Sequence, residues 1–251
     1  MITAIANQKG GVAKTTSTIA LGGLLAEEGS CLIVDLDPQG NLTTGLGVEL
    51  EEGQPSIYHA LTNQVSIKEA IVETSYDISL IPATITLAQA EQDLANDEER
   101  FFILKEKLKP LRRHFEHILL DCPPNMGILT VNALSAANML LIPVQCQFFA
   151  LKGLEGQLKT IEAVRQQLNP RLKVLGILPT MAETNTLMTQ DVLKTLKDEV
   201  AGVHVFNPVP KSVKFPESNF AGKPIHLYSS EWKLVQPYRE VARAMMIHQE
   251  G

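Results

Sequence analysis

Three short segments carry residue types suited to handling a polyphosphate. The first is Asn7-Gln8-Lys9-Gly10-Gly11-Val12-Ala13-Lys14-Thr15-Thr16, set between an apolar run and a helical pattern. Successive backbone N–H groups at such a turn form a concave anion site, and the start of the helix adds partial positive charge. Gly10 and Gly11 let the backbone approach phosphates without a Cβ in the way. Lys14 can reach β- and γ-phosphates, and the Thr15 hydroxyl can ligate Mg²⁺. The strict pattern G-x-x-x-x-G-K-[ST] fails at Gln8 and at Ala13, so the loop alone also reads as an ordinary glycine-rich turn. A methyl group at Ala13 is tolerated at negative φ, which predicts that the loop does not need the left-handed region there.

The second segment, Asp35-Leu36-Asp37-Pro38-Gln39-Gly40-Asn41, follows an apolar strand, and the third, Asp121-Cys122-Pro123-Pro124, ends another. Carboxylates at strand C-termini face the crevice where doubly wound sheets bind ligands. Asp121, after three apolar residues, has the form of a Walker B acid that holds Mg²⁺ through water. Either acidic segment alone is a common strand ending. The three segments in this order point to a nucleotide site.

The elements that must position them alternate. Ile2–Ala6, Cys31–Val34, Ile78–Ile81, Ile118–Leu120, Met139–Val144 and Val174–Leu178 are mostly apolar runs. Between them lie helical periodicities over Thr15–Glu27, Leu151–Leu168 and Met188–Val200. Apolar strands separated by amphipathic helices predict a mainly parallel, doubly wound α/β sheet with helices on both faces. No repeat, low-complexity tract or linker divides residues 1–251, which read as a single domain. Hydrophobic residues make up 45% of the chain and charged residues 20%, enough to build a core. Three cysteines at unrelated spacings (Cys31, Cys122, Cys146) exclude a disulfide scaffold and fit a reducing cytoplasm. No apolar stretch approaches about 18 residues, and the N-terminus lacks the pattern of a signal peptide.

Lys9-Gly10-Gly11-x-x-Lys14-Thr15 resembles the deviant Walker A box of the ParA/MinD group of P-loop ATPases. Asp35-x-Asp37-Pro38-Gln39-Gly40-Asn41 and Asp121-Cys122-Pro123-Pro124 resemble its ParA (Soj) branch. Phe149-Ala150-Leu151-x-Gly153, Gly176-Ile177-Leu178-x-Thr180-Met181 and Gly222-Lys223-Pro224-Ile225 extend the likeness over nearly the whole chain, at the length of the compact chromosomal type without an N-terminal helix-turn-helix domain. The resemblance implies ATP and Mg²⁺ as cofactors, with Lys9, Gly10, Gly11, Val12, Ala13, Lys14, Thr15 and Thr16 around the phosphates. It implies that Lys9 reaches the partner's nucleotide across an ATP-bound homodimer. It makes Asp37 the residue that orients the attacking water, and it has Asp35 and Asp121, with Thr15, support Mg²⁺. Pro210, in Asn207-Pro208-Val209-Pro210-Lys211, would lie beside the adenine.

The same likeness implies non-specific binding to nucleoid DNA, a ParB-like adaptor that stimulates slow hydrolysis, and a cytoplasmic, nucleoid-associated location. The overall charge of −6 argues weakly against nucleic acid. The charge is uneven, however: residues 1–150 hold 9 Lys+Arg against 18 Asp+Glu, and residues 151–251 hold 13 against 10. Candidate phosphate contacts are Arg165, Arg171, Lys173, Lys194, Lys197, Lys211, Lys214 and Lys223, each of which also reads as a solvated surface residue. Asn185 stands where the family often carries a DNA-contacting arginine, Asn125 where serine is frequent, and Lys152 where an acidic residue is frequent. Lys152 also resembles a lysine of the branch that positions carboxysomes, which makes carboxysomes one cargo beside chromosomes and plasmids.

Lys105–His114 reads as an amphipathic helix with a solvated basic face. The alternative of a MinD-like membrane regulator needs a basic amphipathic C-terminal helix. Pro237–Gly251 mixes Arg239 and Arg243 with Glu240, which predicts a docked core helix and no membrane contact. A metabolic enzyme of the same wider fold, such as a nitrogenase iron protein, would need cysteines placed to bridge a cluster. Cys31 and Cys122 read as core residues.

Overall fold

The computed structural model describes residues 1–183, 186–200 and 202–248; the side chains of residues 148–152, 188 and 199 also lie outside the description. Lys152 and Asn185 therefore fall outside the described positions. Seven strands form one sheet: β1 (Ile2–Ile5), β2 (Cys31–Asp35), β3 (Val72–Glu73), β4 (Ile78–Ile81), β5 (His117–Asp121), β6 (Met139–Gln145) and β7 (Lys173–Thr180). Their order is β3-β4-β2-β5-β1-β6-β7. Every pairing is parallel except β3 with β4, a two-residue antiparallel edge too short to show in hydrophobic patterning. The helices are α1 (Lys14–Ala26), α2 (Asn41–Gly45), α3 (Ile57–Leu61), α4 (Ala90–Asp93), α5 (Ile103–Leu108), α6 (Ile128–Ala136), α7 (Phe148–Gln167), α8 (Leu187–Glu199), α9 (Lys214–Phe220), α10 (Ile225–Tyr228) and α11 (Trp232–Ile247).

The strands are apolar throughout because both faces are covered, and alternate residues feed two cores. Ile2, Ala4, Leu32, Val34, Ile118, Leu120, Leu140 and Ile142 join the core under α3, α5, α6 and α7. Ile5, Cys31, Ile33, Leu119, Met139 and Leu141 join the core under α1 and α11. Each fully buried leucine or isoleucine contributes on the order of 1.5–3 kcal/mol. The two strand-end acids are brought level by register, since β2 and β5 pair Asp35 with Asp121.

The C-terminal segment docks as a helix, as its mixed charge predicts, with Leu234, Val235, Tyr238, Val241, Ala242 and Met245 buried. The helix begins at Trp232, five residues before the predicted start, and carries Pro237 inside it. Packing of the Leu234, Val235 and Tyr238 face on α1 outweighs the backbone bond that proline removes. Lys105–His114 is shorter than its period suggests: α5 stops at Leu108 and a 3₁₀ turn covers Leu111–Arg113. Its charges sit at the surface, with Lys107 donating to Asn63 Oδ1 at 2.7 Å and Arg112 to the Ala136 carbonyl at 3.3 Å.

Candidate nucleotide site

The glycine-rich loop leaves β1 and is fastened to the ends of β6 and β7. Asn7 is buried, its Nδ2 donating to the Pro143 carbonyl at 2.7 Å and its Oδ1 accepting from the Lys9 N–H at 2.9 Å. Val12 is buried, and its carbonyl accepts from Thr180 Oγ1 at 3.1 Å, which ties the loop to the end of β7. Gly11 is left-handed at φ +71°, and so is Ala13, at φ 63° and ψ 35°. The expected negative φ at Ala13 is thus wrong. The residue stands immediately before α1, where the turn into the helix needs left-handed backbone. An alanine accepts this at about 1–2 kcal/mol because its neighbours on both sides are held.

Lys14 opens α1 with its ammonium largely buried, and its Nζ donates to the Lys9 carbonyl at 3.3 Å. Burial pushes its pKa below the usual lysine value, and the Asp121 carboxylate pulls partly back. Lys9 itself is exposed. Behind the loop Asp121 is fully buried. Its Oδ2 accepts from Thr15 Oγ1 at 2.7 Å and its Oδ1 from Thr18 Oγ1 at 3.0 Å. Burial first, and the neighbouring Asp35 second, push its pKa up to about 7.

Asp35 is also fully buried, with its pKa pushed up to about 6 by burial against the hydrogen bonds it accepts. Its Oδ1 accepts from the Asp37 N–H at 3.1 Å, and its Oδ2 from Thr43 N–H at 3.0 Å and Oγ1 at 2.8 Å. Both oxygens are therefore engaged in anchoring the 37–43 turn, a role the spacing did not disclose. Thr43 Oγ1 in turn accepts from the Ala83 N–H at 3.1 Å. Asp37 is half-buried on the same turn, its Oδ1 accepting from the Gln39 N–H at 3.0 Å.

These residues border a cleft of ≈ 560 Å³, lined on one side by Gly10, Gly11, Lys14 and Thr15 and on the other by Asp37 and Asn41. A second, mainly apolar cavity of ≈ 670 Å³ adjoins it and shares Ala13, Thr16, Met181 and Asn219. Pro210 lines the second cavity with Val209, Phe215 and Tyr238. A polar cleft continuous with an apolar one suits a phosphate chain joined to a flat base. Asn219 and Phe220 were not legible as site residues. Asn219 Nδ2 donates to Thr16 Oγ1 at 3.1 Å, across 203 residues of sequence.

Thr15 and Asp121 offer hard oxygen donors beside the loop, the donor type Mg²⁺ prefers. Among the described residues no cluster of three or more His, Cys, Asp or Glu could hold a metal. Cys31, Cys122 and Cys146 are buried free thiols, with burial pushing Cys31 to about 12 and Cys146 to about 11.

The candidate DNA contacts are spread over several elements. Arg165 on α7 pairs with Glu162 at 3.1 Å, Lys211 with Glu183 at 2.9 Å, and Lys214 with Glu217 at 2.9 Å. Arg171, Lys173, Lys194, Lys197 and Lys223 are exposed, on the turn before β7, on β7, on α8 and after α9. No helix of the described residues is long and apolar enough to cross a membrane.

Comparison with known proteins adds four findings. The family model described as an AAA domain matches residues 1–174. The chain is 42% identical over 98% of its length to the chromosome partitioning protein ParA of Myxococcus xanthus, covering 87% of that protein. It is 38% identical over 96% to the sporulation initiation inhibitor protein Soj of Bacillus subtilis, covering 96% of it. A solved structure of cobyrinic acid a,c-diamide synthase from Mycobacterium smegmatis with bound ADP and magnesium is 37% identical, with a TM-score of 0.87, covering all of this chain and 95% of that one.

Proposed function

The chain belongs to the ParA/Soj family of P-loop ATPases that partition chromosomes, and from that premise we propose that it is an ATP-gated positioning switch built as one domain. The observation that supports this best is the fastened loop itself. Gly11 and Ala13 hold the turn open over Thr15 and Asp121, next to a base-sized apolar cavity. ATP places its phosphates along residues 9–16 and its base by Pro210. Thr15, with Asp35 and Asp121 through water, would hold Mg²⁺, which would supply neutralisation of phosphate charge and ease departure of the leaving group. The Lys14 ammonium exchanges the Lys9 carbonyl for phosphate oxygens. Asp37, held from below by Asp35, orients the attacking water.

In this reading exposed Lys9 reaches the nucleotide of a second copy, so that ATP favours a homodimer and hydrolysis dissolves it. The dimer binds nucleoid DNA without base readout, through Arg171, Lys173, Lys194, Lys197 and Lys223 and, at the cost of their carboxylate pairs, Arg165, Lys211 and Lys214. A ParB-like adaptor shortens the ATP state. The cargo is a chromosome, a plasmid or another large body such as a carboxysome. The location is cytoplasmic, on the nucleoid. The ADP and magnesium in the related Mycobacterium structure suit the cleft described here.

The test is DNA co-sedimentation with ADP, ATP and a non-hydrolysable analogue at two salt concentrations, with liposome flotation in parallel. Binding to DNA only in the triphosphate states, lost steeply with salt, is the expected result. Equal DNA binding in all nucleotide states, or ATP-dependent flotation with liposomes, would overturn the reading.

A further inference from the structure

The two walls of the phosphate cleft come from distant parts of the chain. One is the 37–47 segment, which contributes Asp37, Asn41 and Thr44; the other is the end of α9, which contributes Asn219 and Phe220. They meet outside the cleft at a pair of glycines. A Cβ built on Gly222 would lie 3.0 Å from Gly47 Cα and 3.1 Å from Gly47 N, inside the contact distance of about 3.5–4.0 Å. A Cβ built on Gly47 would lie 3.6 Å from Gly222 Cα, an ordinary contact. Both residues are left-handed, at φ +71° for Gly47 and +65° for Gly222.

Each glycine also ends its own segment in a fixed way. The Gly47 N–H donates to the Thr44 carbonyl at 2.9 Å, just past α2. After α9 the Gly222 N–H donates to the Asn219 carbonyl at 3.1 Å and the Lys223 N–H to the Ser218 carbonyl at 2.9 Å, a Schellman closure. That closure explains a glycine at position 222 but not its backbone touching position 47. The 37–47 segment is already tied to Asp35 and to Ala83 through Thr43. α2 also packs directly on α9, and the glycine pair adds a backbone-to-backbone contact with the Asn219–Phe220 wall just past the end of α2.

We infer that the Gly47–Gly222 contact is a positioning latch: it sets the distance between the Asp37 turn and the α9 wall, and with it the placement of Asp37 over the phosphates. The inference rests on the ATPase reading for its functional consequence, though not for the contact itself. Gly47→Ala and Gly222→Ala impose the same left-handed strain, but only the second forces the backbones apart. Gly47→Asn, in a residue type that accepts left-handed backbone, adds bulk at the contact with less strain and stands in if Gly222→Ala does not fold.

Hydrogen exchange and steady-state ATP hydrolysis test this on the full chain. Gly222→Ala is expected to speed amide exchange across 41–47 by about tenfold relative to Gly47→Ala. It is also expected to lower kcat for ATP about tenfold while the nucleotide KM stays within about twofold. Gly47→Asn should fall between the two. Exchange in 41–47 that is equal in Gly222→Ala and Gly47→Ala overturns the latch, as does a Gly222→Ala enzyme that is less stable yet keeps its kcat. If wild-type protein does not hydrolyse ATP, the ATPase reading fails, and the exchange comparison still decides the latch.

Discussion

Replacing Thr43 by valine tests how the water-orienting turn is held. The change keeps shape and removes one hydroxyl. That hydroxyl donates to Asp35 Oδ2 at 2.8 Å and accepts from the Ala83 N–H at 3.1 Å, and both contacts are buried. A hydrogen bond to a buried carboxylate is worth about 1.5–3 kcal/mol, and an orphaned buried N–H costs about 1–3 kcal/mol. The extra methyl of valine recovers about 0.8 kcal/mol of apolar burial. The net expectation is a loss of about 3 kcal/mol, or a fall in Tm of about 6–12 °C for a chain of this size. Thr43→Ser keeps the hydroxyl and is expected to lose only about 1 kcal/mol, from one missing methyl. Urea denaturation of the three proteins without nucleotide measures stability, and phosphate release measures function. Because Asp35 also holds the Asp37 N–H, Thr43→Val should hydrolyse ATP more slowly than Thr43→Ser at equal nucleotide occupancy. A Thr43→Val protein within about 1 kcal/mol of wild type, or one indistinguishable from Thr43→Ser, would refute the anchoring argument.

Asp121 holds its proton to about 7 in the fold against a free value near 4, so the native state binds more protons and stability falls as pH rises through 7. The nucleotide-free urea midpoint is therefore expected to be lower at pH 8 than at pH 6.5, with the slope reduced in Asp121→Asn; a rise with pH would contradict this. Asp37→Ala is expected to bind a fluorescent ATP analogue normally and to release phosphate at least about 100-fold more slowly, and an unchanged rate would remove Asp37 from the chemistry. Ala13→Gly relieves left-handed strain and is expected to raise stability by up to about 1 kcal/mol in urea, whereas at negative φ the same change would lower it.

The strand–helix alternation and the nucleotide loop were legible because each is a local pattern, and β1, β5 and β6 differ from the predicted runs by only one or two residues. What escaped was set by distant partners. Ala13 reads as right-handed by its own chemistry, and only the tie of Val12 to Thr180 on one side and the start of α1 on the other force it the other way. The bonds that Asp35 accepts from Thr43 escaped as well, because nothing in its spacing announces that Thr43 turns back onto it. Asn219 and Phe220 reach the cleft from the far end of the chain, and Pro237 passes unbroken through a helix that α1 holds in place. Charge counts found the basic half but not the glutamates that cancel Arg165, Lys211 and Lys214.

The bond from Lys14 Nζ to the Lys9 carbonyl gives the ammonium an acceptor within its own loop. A buried ammonium without an acceptor would cost several kcal/mol. Here the backbone of one lysine fills that part for the other. The two lysines of the loop are thereby threaded on one line, the backbone of Lys9 holding the ammonium of Lys14 while the Lys9 side chain is exposed.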